Sequence, residues 1–171
     1  MGCCRCCCLL TFVAVLIIAG SMGLFTAFFP YPSHASCSVK WEFGEVCPSV
    51  EDRLVTQIKE WSHKDCTAKQ RCGYEFLGRD TDVIRGTHTT PFLSFRDSFN
   101  FTFATSKNGC TVQGNSYSEA WYAVIDFGVN YCNLKNLVMG AQLDEQDPYY
   151  TETSNNTVCT MYSLAHCNLY T

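Results

Sequence analysis

Apolar and polar positions in this chain fall into three regimes. From Leu9 to Phe29 no residue is charged, most are apolar, and Pro30 closes the run. At ~1.5 Å per residue, a helix of this length reaches across the ~30 Å hydrocarbon core of a bilayer. A second pattern starts at Pro48-Ser49. Val50, Leu54, Ile58 and Trp61 form one apolar stripe at helical spacing, with Glu51, Arg53, Gln57 and Glu60 on the polar side. Ser49 is the expected N-cap, Glu51 and Asp52 suit the first turn, and Ser62 to Asp65 should end the helix.

The third regime alternates with period two. Leu93, Phe95, Phe99, Phe101 and Phe103 share one parity, while Ser94, Arg96, Ser98, Asn100 and Thr102 share the other. That predicts a half-buried strand, with Asp97 as the one break on its apolar face. Asn108-Gly109 is the preferred type I′ dipeptide and should turn the strand back through Cys110 and Val112. Gly114 to Ser118 reads as a bend or bulge. Trp121 to Val129 alternates and reads as another strand. Asn133 to Ala141 has apolar residues on both parities, as in a strand covered on both faces. Val158 to Ser163 should be a last short strand and Cys72 to Leu77 an early one, followed by a polar loop from Gly78 to Thr90. Asp147-Pro148 and Ser154-Asn155-Asn156 carry turn chemistry.

A helix followed by an antiparallel meander predicts an α+β domain, with the helix packed on a curved antiparallel sheet. Cystatin-like cones share that order of elements, as an analogy of architecture only; the Q-x-V-x-G loop of cystatins is absent. The strands are too few for a lipocalin-like closed barrel. The expected organisation is an N-terminus at 1–8, a membrane-spanning or signal-anchor helix at 9–29, a linker at 30–36 and one disulfide-bonded domain at 37–171.

Charge orients the apolar run. Arg5 is its sole N-terminal cation, and none follows before Lys40, so the positive-inside rule leaves the N-terminus in the cytosol. The expectation is a single-pass type II protein of the plasma membrane or a secretory-pathway membrane. Ser33-His34-Ala35 offers a cleavage site, and cleavage there would make the chain secreted.

The 13 cysteines form two groups. Cys3, Cys4, Cys6, Cys7 and Cys8 crowd the cytosolic edge of the run and are candidates for S-palmitoylation. Gly2 is a weak myristoylation signal, because Cys6 stands where Ser or Thr is wanted. Cys3/Cys6 and Cys4/Cys7 have metal-binding spacing, but no second ligand pair lies beside them to close a tetrahedral site. No metal and no cofactor is expected. Cys37, Cys47, Cys66, Cys72, Cys110, Cys132, Cys159 and Cys167 contain no C-x-x-C pair, which in an exported domain predicts disulfides. Spacing suggests a small loop closed by Cys66 and Cys72, and a C-terminal staple of Cys159 to Cys167. Sequons at Asn100 and Asn155 suit the same compartment.

The net charge is −4, without the clustered excess of cations that nucleic acid requires. After Lys135 there is no Lys or Arg, yet Asp144, Glu145, Asp147 and Glu152 lack the calcium-loop pattern. No nucleophile-elbow, zincin or P-loop motif is present. His88, in a polar run before the strongest strand, is the best candidate base for a hydrolase. Glu119 and Asp126, if extended, stand up to ~23 Å apart, beyond the ~5–9.5 Å of a glycosidase pair. These features predict a non-catalytic, membrane-tethered exterior domain that binds a protein or small ligand. A secreted small-ligand carrier is the alternative, and an exported hydrolase ranks below both. Tyr149 and Tyr150, beside Asp147-Pro148, are the expected exposed aromatic contacts.

Overall fold

The computed structural model describes residues 10–21, 31–62, 71–91 and 93–167. The chain divides into two compact units, Met1–Pro30 and Tyr31–Thr171. In the first, residues 10–21 are helical (α1). The rest of the predicted Leu9–Phe29 span lies outside the described residues, as do Cys3, Cys4, Cys6, Cys7 and Cys8. Among the described residues no helix is long and apolar enough to cross a membrane.

The second unit is α+β. Its elements are β1 (Ser36–Phe43), α2 (Cys47–Glu60), β2 (Tyr74–Asp80), β3 (Val83–Thr89), β4 (Arg96–Ser106), β5 (Gly109–Ser118), α3 (Val129–Gly140) and β6 (Thr151–Thr153), then a short 3₁₀ turn at Tyr162–Leu164. One antiparallel sheet runs in the order β2-β3-β4-β5-β1-β6. Phe99, Phe101 and Phe103 of β4 are buried on one face with Val112 of β5 and Cys37, Val39, Trp41 and Phe43 of β1. Val50, Leu54, Val55 and Ile58 of α2 and Leu134, Leu137 and Val138 of α3 join them in one core. The opposite face carries Lys40, Glu42, Thr102 and Tyr117 exposed to water, so the alternation seen in the chain is the two-sidedness of the sheet. In the register Phe101 opposes Gly114 and Gly114 opposes Val39. A Cβ at Gly114 would lie 2.6 Å from the Trp41 indole, so glycine there lets β1 bring its largest side chain across the sheet.

The alternation predicts that Phe95, Phe99, Phe101 and Phe103 pack against Leu54, Ile58 and Trp61; Phe99, Phe101 and Phe103 do join that core, while Phe95 is only half-buried and lies outside it. Leu93, at the start of the alternation, is 67% exposed, because the strand begins only at Arg96, after a left-handed Ser94 (φ 53°). The helix begins earlier than expected. Val46 is its N-cap, a proline lies in the first turn, and Ser49 is inside the helix, its hydroxyl donating to Glu45 at 2.7 Å. Glu51 and Gln57 are buried, not on a wet face. Arg79 of β2 donates to Glu51 at 2.6 Å, which gives that carboxylate a partner on leaving bulk water.

Several predicted strands are something else. The Gly78–Thr90 loop is a hairpin built of β2 and β3. The β4–β5 turn is Lys107–Asn108, with Ser106 opposite Gly109, one residue before the expected dipeptide. Gly114 to Ser118 is regular strand. Asn133 to Gly140 belongs to α3, with Ala141 as its C-cap: Leu134, Leu137 and Val138 recur at three and four, a helical period. Val158 to Ser163 contributes one bridge, Cys37 to Cys159, and then the 3₁₀ turn. Trp121 to Val129 leaves the sheet, because β5 is already flanked by β4 and β1 and offers no free edge to the chain that follows it.

Disulfides join Cys37 to Cys159, Cys47 to Cys110 and Cys132 to Cys167. Cys72 is disulfide-bonded as well, while Cys66 lies outside the described residues. The expected Cys159–Cys167 staple is not formed. Cys159 instead faces Cys37 across the bridge, at 3.8 Å between Cα atoms, and Cys167 ties the C-terminal segment to α3.

Candidate functional site: an apolar loop between β5 and α3

The loop that replaces the third predicted strand is the most exposed apolar segment among the described residues of this unit. Trp121 is 87% exposed, Phe127 68%, Tyr122 59%, Ile125 57% and Val124 56%. These side chains are not frayed core, because backbone bonds hold the loop at both ends. Ala35 N–H donates to the Ala123 carbonyl at 2.8 Å and Ser118 N–H to the Ala35 carbonyl at 3.0 Å. Ala123 N–H donates to Ala120, closing a turn, and Trp121 meets Tyr122 edge-on at 5.6 Å.

The far end is set by Asp126. Its carboxylate accepts the backbone N–H groups of Gly128 and Asn130, each at 3.0 Å, and the Asn130 amide at 2.8 Å. It satisfies donors in the first turn of α3 that have no intrahelical acceptor. Burial pushes its pKa up, against these hydrogen bonds. Phe127 (φ 52°) and Gly128 (φ 77°) are both left-handed, and a Cβ on Gly128 would strike Ala165. A bulky residue in that region is unfavourable. Here it leaves the Phe127 ring facing solvent.

The expected aromatic pair divides. Tyr149 is exposed. Tyr150 instead belongs to a cage around Glu152, donating to it at 2.6 Å, while Tyr131 donates at 2.7 Å and the Trp41 indole N–H at 2.9 Å. Lys135 bridges Asp144 (3.0 Å) and Glu152 (3.4 Å). Burial alone would raise the pKa of Glu152; the hydrogen bonds from Tyr150, Tyr131 and Trp41 outweigh it and hold the carboxyl below its ordinary value. A carboxylate with this many donors fastens β6 to β1 and α3.

His88 is 1% exposed and its ring stacks on Tyr74 at 4.3 Å. It opposes Asp97 in the β3–β4 register. Asp97 is also buried, which pushes its pKa up to about 6 despite hydrogen bonds with Asn133 and Ser118. The connection continues through Ser116, which donates to Asn130 at 2.6 Å. Asn130, Asn133 and Asn136 repeat every three residues along the buried side of α3, and this explains the polar break at Asp97. The signal for that asparagine stripe in the sequence is its helical spacing, masked by the apolar residues on both parities around it.

The sequons differ in setting. Asn155 and Thr157 are exposed, and the Asn155 oxygen accepts the Thr157 N–H at 2.8 Å and its hydroxyl. Asn100 is half-buried on the open face of the sheet, in a ladder from Asn100 through Asn115 to Ser38. Among the described residues no group of His, Cys, Asp and Glu could hold a metal ion. No protein-family model, curated protein or solved structure matches the chain.

Proposed function

We propose that the chain is a membrane-tethered, glycosylated exterior domain that works by binding and has no catalytic activity, with the Trp121–Phe127 loop as its contact element. One observation carries the reading: five large apolar side chains stand in water on a loop whose backbone is hydrogen-bonded at both ends. Apolar surface exposed contiguously marks a site of interaction, and Trp and Tyr are enriched where contacts are strong. The apolar run at Leu9–Phe29, the disulfides and the sequons support an exterior, tethered location, with the N-terminus cytosolic and acylated cysteines beside the bilayer.

The test uses cells expressing the full chain with a C-terminal tag. The tag should be labelled on intact cells, resist alkaline extraction and shift on deglycosylation. Tag labelled only after permeabilisation would contradict the exterior reading, and release into the medium would favour the secreted carrier. A W121S/I125S/F127S variant should reach the surface in equal amount and unfold within ~0.5 kcal/mol of the parent, as expected for exposed positions outside the core.

A further inference from the structure

We infer that the occupant of the Trp121–Phe127 loop is the lipid bilayer to which the chain is tethered, with the loop seated among the headgroups and upper acyl chains. The inference rests on the tethered reading above and names the partner of the same site.

Three observations carry it. First is the place of the loop in the chain. It is bonded through Ala123 to Ala35, which follows the last residue of the apolar run, Phe29, by six positions. A chain of six residues reaches at most ~20 Å, which bounds how far the residue holding the loop can stray from the end of the apolar run. Second is composition. Residues 120–125 read Ala-Trp-Tyr-Ala-Val-Ile without a charge, and Trp and Tyr are the side chains that concentrate at the membrane–water boundary. Third is the handling of charge around the tip. The Asp126 carboxylate is turned inward onto Gly128 and Asn130. At the other shoulder, Glu119 is engaged by Arg96 at 3.5 Å and by the Ser98 hydroxyl at 2.6 Å. An apolar tip with its carboxylates turned aside or paired suits lipid, where an unpaired charge is costly.

The fluorescence of the full chain reports the position directly. Of its three tryptophans, Trp41 is fully buried, Trp61 packs at the core and Trp121 stands on the loop. The chain is reconstituted into phosphatidylcholine vesicles with or without bromine atoms near the top of the acyl chains. Brominated lipid should quench an emission component that Trp121→Phe removes. An I125D/F127D variant, still retained by the vesicles, should lose that quenching. Trp121 emission untouched by brominated lipid but quenched by aqueous acrylamide would overturn the inference and leave the loop to a soluble partner, with the tethered reading intact. A chain washed from the vesicles by alkaline carbonate would overturn the tether, and this inference with it.

Discussion

Asp126 and Asn130 are joined twice: the carboxylate accepts the Asn130 backbone N–H at 3.0 Å and its side-chain amide at 2.8 Å. The pair sits where the exposed loop becomes α3, and one residue serves both. Asn130 passes the connection inward, accepting from Ser116 at 2.6 Å. Asp126→Ala should therefore loosen the loop and the first turn of α3 together, at about 1–2 kcal/mol, the range of a lost helix cap. Chemical denaturation measures the cost. Hydrogen exchange should quicken at Gly128 and Asn130 and stay unchanged in β4.

Asp97 makes stability depend on pH. Its folded pKa, near 6, lies above the usual carboxylate value because the group is buried. The native state thus holds its proton more tightly than the unfolded chain does. The stability this contributes is complete below pH ~4 and is lost as pH rises through ~6. The full effect is about 3 kcal/mol, for a shift of roughly two units. Glu152 works the other way, its lowered pKa giving stability that is lost as pH falls. The informative quantity is therefore the difference between parent and Asp97→Asn, which keeps an oxygen for the Asn133 amide. The parent should lose stability relative to the variant between pH 4 and pH 7. A constant difference across that range would show that Asp97 does not titrate there.

Phe101 opposes Gly114 on the buried face while Asn100 opposes Asn115 on the open one. Phe101→Ala should cost ~3–5 kcal/mol. Asn100→Gln should remove a glycan and change stability by less than ~0.5 kcal/mol. Paired denaturation curves and a mobility shift on gels read both outcomes. The reverse pattern would mean a register one residue out, turning every side chain on β4 to the other face.

Exported protein should show no free thiol at Cys37, Cys47, Cys72, Cys110, Cys132, Cys159 or Cys167, all of them disulfide-bonded. Alkylation under denaturing conditions followed by mass spectrometry tests it. Cys37 and Cys159 close the longest loop described, at a separation of 122 residues against 35 for Cys132 and Cys167. Losing the longer one should cost about 1 kcal/mol more in a loop-entropy account.

What the chain revealed in advance follows from how locally each signal acts. The α2 stripe and the Phe99-Phe101-Phe103 alternation are single-element periodicities, and both gave buried faces. The β1 pattern, Cys37-Val39-Trp41-Phe43, is as regular, though short and placed directly after the linker prolines. Trp121 to Phe127 also alternates, but a strand needs an open edge, and the neighbours of β5 are set by residues far away in sequence. Disulfide pairing was hidden for the same reason, since Cys37 meets Cys159 only once β1 has crossed the sheet. The contact loop shares the alternation of a strand, and the Tyr149-Tyr150 pair looks like an exposed contact in the chain because the cage around Glu152 forms only in three dimensions.

The most direct test of binding by the loop places a photo-crosslinking phenylalanine analogue at Tyr122 of the full chain on intact cells, and for comparison at Lys107, exposed in the β4–β5 turn. Illumination should give a discrete lipid or protein adduct from position 122 and none from 107. Equal background at both positions would contradict the account.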